Sequence, residues 1–260
     1  MRRAFVAIRP LEYYRREAFI EGLQRCGYEI SIGAPNRSDP DTVYVCWNRY
    51  REWHDAATQV EKAGGRVIVA ENGYVGGRHD GGDHYAVALG GHNGSGSWKV
   101  GGRERWDALS IDLKPWRWRG GYILVCPNRP FGRPDIVMPP SWHRDVTRRL
   151  EKVTRREIRV RPHPGNSKPN IPLADDLANA CAVVVWSSSV GIRALIEGIP
   201  VIAESPRWVC KTATEPLGVA GIESPSFDDA RRERAMIEMS WAQWSLAEIA
   251  GGEPFRLLLS

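Results

Sequence analysis

Residues 181–204 have the sequence CAVVVWSSSVGIRALIEGIPVIAE, and this stretch indicates how the chain folds. The apolar run at its start, bounded by a turn of three serines, predicts a buried strand. The run VGIRALIEGI then predicts a helix, and PVIAES predicts the next strand. A strand–helix–strand unit of this kind is typical of a parallel sheet with a right-handed crossover.

The same alternation extends from this unit towards both ends of the chain. It predicts strands at 3–9, 28–34, 42–48, 64–72, 122–128 and 157–165, and helices at 12–25, 52–63, 139–153 and 172–180. The pattern breaks near residue 115, in the linker LSIDLKPWRWRGG (109–121). We therefore predict an α/β fold of two Rossmann-like halves that face one another, residues 1–115 and 116–235. Residues 227–259 predict two helices, and residues 236–260 form the C-terminal helical segment.

A glycine-rich segment, residues 73–102, interrupts the pattern in the first half. It contains three histidines and two aspartates: His79, His84, His92, Asp80 and Asp83. A loop of this length in a compact domain is more often functional or mobile than idle. Within it, HYAVALGG (84–91) predicts a short strand.

Composition narrows the class of protein. The 260 residues suffice for one large domain or two smaller ones, and 42% hydrophobic residues supply ordinary cores. No apolar run approaches the ~20 residues of a membrane span, and the N-terminus lacks the apolar stretch of a signal peptide. The five cysteines are widely spaced and odd in number, which predicts free core thiols in a reducing compartment. We therefore expect a cytoplasmic protein with no membrane span.

The charge of the chain favours anionic partners. The net charge is +5 and the pI about 9.0, which suits sugar nucleotides, nucleic acid or acidic lipid. A Rossmann dehydrogenase is disfavoured, because neither GAPNRSD nor CPNRPFG forms the GxGxxG motif that cradles a dinucleotide.

Three predicted strand ends of the second half carry polar or Gly/Pro-rich sequence: CPNRPFGRP (126–134), RPHPG (161–165) and WSSSVG (186–191). Ligands of open parallel sheets bind at the carboxyl ends of the strands. Serines that begin a helix can cap its free N–H groups, and the same groups can bind phosphate. We expect the serines Ser187, Ser188 and Ser189 to hold a diphosphate, with plain capping as the alternative. His163 can add a hydrogen bond, and Arg129 or Arg161 can add charge.

These residues carry a resemblance. RPHPG, followed by DDLANACAVVVWSSSVGIRALIEGIPVIAE, resembles the C-terminal half of GT-B glycosyltransferases, within the branch of polysialyltransferases, capsule transferases and glycerophosphotransferases. The resemblance covers about residues 121–259, and the first half only as architecture. Capsule enzymes of this type usually run longer.

The resemblance implies two Rossmann-like domains across a cleft and helices 236–260 that cross back to the first domain. It also implies that the His-Pro and Ser-Ser motifs contact the phosphates of a nucleotide-sugar donor. The donor residues would be Arg129, Gly132, Arg161, His163, Ser187, Ser188 and Ser189, with Glu197 or Glu204 at the ribose or sugar.

Such enzymes need no metal, and the resemblance implies no cofactor apart from the nucleotide-sugar. An inverting mechanism needs a general base for the acceptor hydroxyl, whereas inversion or retention is not determined by the sequence. Glu71, at the end of RVIVAEN, is our first choice, and Asp80, Asp83 and His92 are alternatives. A local cap or salt bridge is the other interpretation of Glu71.

The acceptor is the open question. Eleven tryptophans, several among arginines, suit nucleic acid, sugar stacking or plain packing. A compact basic chain is also similar to the phage glycosyltransferases that modify hydroxymethylated pyrimidines, which act on a flipped base. We expect transfer of glucose from UDP-glucose to 5-hydroxymethylcytosine in DNA, in the host cytoplasm if the protein is phage-encoded. Acceptor-binding candidates are Asn48, Arg49, Asn72, His92 and Asn93. The alternatives are a capsule or lipopolysaccharide glycosyl- or glycerophosphotransferase, and a non-catalytic module that binds nucleotide or DNA.

Overall fold

The computed structural model describes residues 2–130, 132–133, 136–167 and 169–260. The chain divides into two compact units. Unit 1 comprises Met1–Arg105, Gly132–Pro134 and Met239–Ser260, and unit 2 comprises Trp106–Phe131 and Asp135–Glu238. Unit 2 thus begins earlier than the boundary predicted at residue 116. That the two halves face each other across a cleft stays a prediction.

Strands and helices alternate through most of the described chain. The strands are β1 (Arg3–Ala7), β2 (Glu29–Ile32), β3 (Thr42–Trp47), β4 (Arg66–Asn72), β5 (His84–Leu89), β6 (Tyr122–Cys126), β7 (Glu157–Val160), β8 (Ala180–Val185), β9 (Val201–Ala203) and β10 (Gln243–Ser245). The α-helices are α1 (Arg16–Arg25), α2 (Glu52–Lys62), α3 (Glu104–Ala108), α4 (Trp142–Glu151), α5 (Leu173–Asn179), α6 (Val190–Ile196), α7 (Asp229–Ser240), α8 (Leu246–Gly251) and α9 (Glu253–Leu258). The prediction of an α/β fold is confirmed.

The sheet of unit 1 is mixed, with the strand order β10-β5-β4-β3-β1-β2. Strands β2, β1, β3 and β4 are parallel, as predicted, whereas β5 runs antiparallel to β4 and to β10. The expectation of parallel sheets is wrong for this edge. A parallel neighbour needs a crossover of a dozen or more residues, usually helical. The chain instead returns from β4 to β5 through glycine-rich turns, so an antiparallel pair results.

Two predicted helices differ from the observed elements. The segment 12–25 is a 3-10 turn, Glu12–Tyr14, followed by α1, because Arg15 between them has a left-handed backbone (φ 48°). The tail contains strand β10 between α7 and α8, where two helices were predicted. Gln243 and Trp244 are buried in β10 as it pairs with β5. A capping box between Ser245 and Glu248 then begins α8.

The unit 1 sheet has an apolar core on each face. One core joins β1, β3, β4 and β5 to α1, α8 and α9 through Phe19, Leu23, Ile249 and Phe255. The other joins Tyr44, Cys46 and Val69 to Ala57 and Val60 of α2. Helices α1 and α8 approach closely at Gly22, where a Cβ would lie 1.9 Å from the carbonyl oxygen of Ile249.

The sheet of unit 2 is parallel throughout, with the order β7-β6-β8-β9. All residues of β8 are buried, which explains its uninterrupted apolar sequence. Its core includes Ile123, Val184 and Trp142, the last from α4. Across the described residues of both units, no helix combines the length and apolarity needed to cross a membrane.

Candidate functional site

The unit 2 sheet has a topological switch point at β6. From β6 the chain passes through α4 to β7 on one side, and then through α5 to β8 on the other side. In doubly wound sheets the ligand binds outside the carboxyl ends of the strands at such a point. The three polar segments singled out in the sequence follow β6, β7 and β8 at this edge.

A side-chain hydrogen bond joins the ends of β6 and β8. Oδ1 of Asn128 accepts from the backbone N–H of Ser187 at 3.0 Å. Ser188 is buried, and its Oγ accepts from the backbone N–H of Val190 at 3.3 Å. Ser189 is exposed and occupies the N-cap of α6 without a side-chain capping bond. Ser188 therefore satisfies a backbone group of the turn in the way that capping predicts.

The turn after β7 fixes the orientation of His163. Nδ1 of His163 accepts a hydrogen bond from the backbone N–H of Gly165 at 2.9 Å. A neutral imidazole that accepts at Nδ1 carries its proton on Nε2, so Nε2 is a donor. A Cβ on Gly165 would lie 2.8 Å from Cδ of Arg129, so Arg129 packs against this turn. The structure thus brings Arg129, His163 and the serine turn to one edge of the sheet, and their role in donor binding stays a prediction.

Arg161 forms a buried ion pair. Its guanidinium pairs with Asp176 of α5, and the two side chains are only 11% and 8% exposed. It also donates to the carbonyl of Ile171 at 2.7 Å. This geometry favours a structural role, in which Arg161 ties the end of β7 to α5 and so supports the His163 turn.

The two acidic candidates lie at opposite edges of the sheet. Glu197 caps the end of α6, which starts at the carboxyl edge, and it pairs with Lys114 at 2.6 Å. Glu204 directly follows β9 at the carboxyl edge and binds Arg149 at 2.5 Å and Trp142 Nε1 at 2.8 Å. Burial opposes ionisation of Glu204, but the hydrogen bonds from Arg149 and Trp142 outweigh it and lower its pKa. Only Glu204 therefore lies beside the predicted donor residues.

Unit 1 has a carboxylate at the carboxyl end of β4. Oε1 of Glu71 accepts from the backbone N–H of Asn93 at 2.6 Å and from the hydroxyl of Tyr74 at 2.8 Å. Within the part of the chain that the structure describes, Oε2 accepts no hydrogen bond. One oxygen is thus held in place while the other remains an acceptor, which is the arrangement a general base needs.

His92 directly precedes Asn93, whose backbone N–H binds this carboxylate. Nδ1 of His92 accepts from the backbone N–H of Arg49 at 3.3 Å. The side chain of Arg49 is buried and binds Glu61, so it does not face solvent as an acceptor-binding residue would. Sequence reasoning did not identify Tyr74, although the spacing Glu-Asn-Gly-Tyr after a strand was visible.

The other candidates of unit 1 have different environments. Oδ1 of Asn72 accepts from Tyr13 at 2.7 Å, and alternation along β4 puts Asn72 on the face opposite Glu71. Asn48 and Asn93 have left-handed backbones (φ 53° and 47°). Asp80 lies exposed in the 3-10 turn Arg78–Asp80. Asp83 is exposed and lies 3.6 Å from His84.

The glycine-rich segment is built from hydrogen-bonded turns around β5. Gln243 of β10 accepts at Oε1 from the backbone N–H groups of Tyr74 and Val75 at 2.8 and 3.0 Å, and it donates to Val75 O. Gly73 bonds to the carbonyl of His84 across the turn. These contacts fix the chain on either side of the candidate base.

Three arginines lie in the segments that follow β1, β3 and β4. Each lies over an aromatic ring: Arg9 over Trp53, Arg51 over Tyr50 and Arg78 over Tyr13, with centroid distances of 5.4, 4.8 and 4.6 Å. All three are exposed, and among the described residues none pairs with a carboxylate. Many tryptophans instead pack in the cores, as Trp47, Trp106, Trp142, Trp208 and Trp244 are buried.

Comparison with known proteins supplies a fold likeness. No family model and no curated protein matches the chain. Among solved structures it is similar to two transferases of Thermosulfurimonas dismutans KpsC, at 14% identity each. The β-Kdo 2,4 transferase matches with a TM-score of 0.57 over 94% of this chain and 92% of its own. The β-Kdo 2,7 transferase matches with a TM-score of 0.56 over 96% and 98%. The protein therefore shares the fold of these glycosyltransferases over nearly its full length.

Proposed function

We propose that this protein is a GT-B-type glycosyltransferase that moves a sugar from a nucleotide-activated donor to a hydroxyl of a saccharide acceptor. The observation that carries the proposal is the convergence of Asn128, Arg129, His163 and the serine turn at the switch point of the unit 2 sheet. The likeness to two sugar transferases supports the reaction class.

The donor would bind to unit 2 at the carboxyl edge of its sheet. Nε2–H of His163 and the guanidinium of Arg129 are donors for diphosphate or phosphate oxygens, and such charge-assisted bonds are the stronger kind. Ser187 and Ser189 would add contacts from the neighbouring strand end. Stabilising the leaving nucleotide by fixed donors lowers the barrier as negative charge develops on it. We propose that no metal ion is needed, so EDTA should not change the rate.

The acceptor hydroxyl would be deprotonated by Glu71 in unit 1. Oε2 would accept the proton, while the bonds from Asn93 and Tyr74 to Oε1 hold the carboxylate in place. General-base catalysis is worth roughly 10²–10⁴-fold, so Glu71→Gln should lower kcat by about that factor. A non-catalytic nucleotide-binding module would bind donor without turnover and would not respond to this substitution.

A saccharide that carries acidic groups is the acceptor we favour. The two similar structures are named as Kdo transferases, which supports a capsule-type acceptor over hydroxymethylcytosine in DNA. The exposed guanidiniums of Arg9, Arg51 and Arg78 suit carboxylate or phosphate groups, because arginine binds both in a bidentate manner. Glucose transfer from UDP-glucose to DNA becomes the second arm of the test.

Mass spectrometry of products tests both arms together. The protein is incubated with CMP-, CDP- and UDP-linked sugars, and with acidic oligosaccharides or hydroxymethylcytosine duplex as acceptors. A sugar-sized mass gain on the oligosaccharide supports the proposal. Gain on DNA alone would overturn the acceptor assignment, and no gain with any pair would overturn the transferase function for these substrate classes.

The donor residues are tested with matched variants. His163→Asn can keep the hydrogen bond from Gly165 but removes the Nε2 donor, whereas His163→Gln can restore an N–H near that position. A lost charge-assisted bond is worth about 1.5–3 kcal/mol, so kcat/KM should fall roughly 10- to 150-fold in the first variant and less in the second. Arg129→Ala should weaken donor binding, while Arg155→Ala, at the exposed start of the β7 segment, should not.

A further inference from the structure

Arg49 is a buried arginine that bonds to the loop from which Asn93 contacts the candidate base. The residue is 2% exposed, and both terminal nitrogens bind Glu61 at 2.6 Å in a bidentate pair. Nη2 also lies 3.3 Å from the hydroxyl of Thr58. Its Nε is buried and has no hydrogen-bond partner among the residues that the structure describes. Such a group is costly to bury, which calls for a reason beyond the stability of the core.

The side chain and backbone of Arg49 hold two points of the segment 90–95. Nη1 donates to the carbonyl of Gly90 at 2.5 Å, and the backbone N–H donates to Nδ1 of His92 at 3.3 Å. Gly90 itself is bonded to β4 through the carbonyl of Val67 at 2.8 Å. The start of the segment is therefore anchored at its backbone and by one side chain.

The same segment delivers the hydrogen bond to Glu71. His92 O accepts from the backbone N–H of Ser95 at 3.0 Å, which closes a tight turn around Asn93. The backbone of Asn93 is left-handed there, and its N–H donates to Oε1 of Glu71 at 2.6 Å. The direction of this N–H depends on the turn, and the turn depends on where Gly90 and His92 are held.

We infer that Arg49 is a positioning residue, which sets the orientation of Glu71 by anchoring residues 90–95. It was predicted from the sequence to bind the acceptor, but its guanidinium acts through the loop. This inference rests on the proposed function, in which Glu71 is the base. Misplacement of a reacting group by about 1 Å can cost roughly 10²-fold in rate, so loosening this anchor affects turnover more than donor binding.

Steady-state kinetics of Arg49→Lys in two backgrounds tests the inference. Lysine keeps the charge but cannot form the bidentate pair with Glu61 that fixes the direction of the bond to Gly90. We expect kcat to fall roughly 10- to 100-fold with the donor KM unchanged within about 2-fold. In a Glu71→Gln background the same substitution should change kcat by less than about 2-fold, because the group it positions is already gone. Independent, multiplicative losses in the two backgrounds would overturn the inference.

Two further variants guard against a general folding defect. Glu61→Gln keeps the shape of the partner and should reproduce a smaller kcat loss that also vanishes in the Glu71→Gln background. Arg232→Lys is the matched control, because Arg232 is also buried and pairs with Asp229, and its buried Nε likewise has no partner in the described part of the chain. It should leave kcat unchanged.

Amide hydrogen exchange separates this inference from the proposed function. In Arg49→Lys the amide of Asn93 should exchange at least about 10-fold faster, and in Arg232→Lys it should not change. This holds whether or not a substrate is known. Inactive wild-type protein with the expected exchange pattern would overturn the transferase proposal alone, and unchanged exchange at Asn93 would overturn the anchoring role of Arg49.

Discussion

Neutralising Asp176 tests how the end of β7 is held beside the predicted donor site. Asp176→Asn leaves Arg161 without its counter-ion at a site where the two side chains are 11% and 8% exposed. Removing one partner of a buried ion pair costs about 3–5 kcal/mol, because the remaining charge is left uncompensated. The backbone carbonyl of Asp176 also accepts from Tyr122 at 2.8 Å, and the substitution does not touch that bond.

An exposed ion pair on β7 provides a matched control. Arg159 pairs with Glu157 at 2.6 Å, but these side chains are 42% and 56% exposed. Exposed pairs contribute little, because water screens the two charges, so Glu157→Gln should have little effect. Each substitution neutralises the carboxylate that pairs with an arginine, and the two arginines are two positions apart. Burial of the ion pair is the main difference between the two variants.

Urea unfolding followed by tryptophan fluorescence measures both variants. With a urea dependence of about 2 kcal/mol per molar, Asp176→Asn should lower the midpoint of the unit 2 transition by roughly 2 M, and Glu157→Gln by less than about 0.5 M. Equal shifts for the two variants would refute the reasoning that burial gives the Arg161 pair its structural role. Arg161 would then return as a candidate donor-binding residue.

Three other outcomes follow from the packing and electrostatics. Burial opposes ionisation of Glu248, yet the hydrogen bonds from Arg105 and from the N-cap of α8 lower its pKa below 4.5. The stability that the ionised carboxylate contributes is present above pH 4.5 and is lost as the pH falls through the lowered pKa. Glu248→Gln should therefore reduce the fall in the urea midpoint at acid pH, measured between pH 3 and 7. Iodoacetamide at pH 8 should label Cys26 of the native protein in preference to the other four cysteines, because these are buried and burial raises their pKa values. Mass spectrometry of the peptides identifies the labelled cysteine. Gly22→Ala should lower the unfolding free energy by about 1–3 kcal/mol or more in urea titrations, because a Cβ there meets the carbonyl of Ile249; an unchanged midpoint would show that α1 and α8 can separate without cost.

The sequence alone determined the local units of this protein. Alternating apolar runs, serines and prolines predict the strand–helix–strand order because strand and helix periods are properties of short segments. The candidates His163, Ser187 and Glu71 could be found for the same reason, since each lies at or shortly after the carboxyl end of a strand, where parallel sheets bind ligands. The left-handed Arg15, which divides the first helix, gave no comparable local signal.

Only the tertiary structure decided what distant residues do to each other. The pairing of β10 with β5 depends on a chain segment more than 150 residues away, and the tail of the sequence by itself favours helix. Arg49 and Arg161 look like surface cations in sequence, but Glu61 and Asp176 make them buried structural partners. The role of a charged side chain depends on its burial, which sets its desolvation cost, and on whether a counter-ion lies beside it. The burial and the counter-ion are both determined by the packing of elements that are remote along the chain.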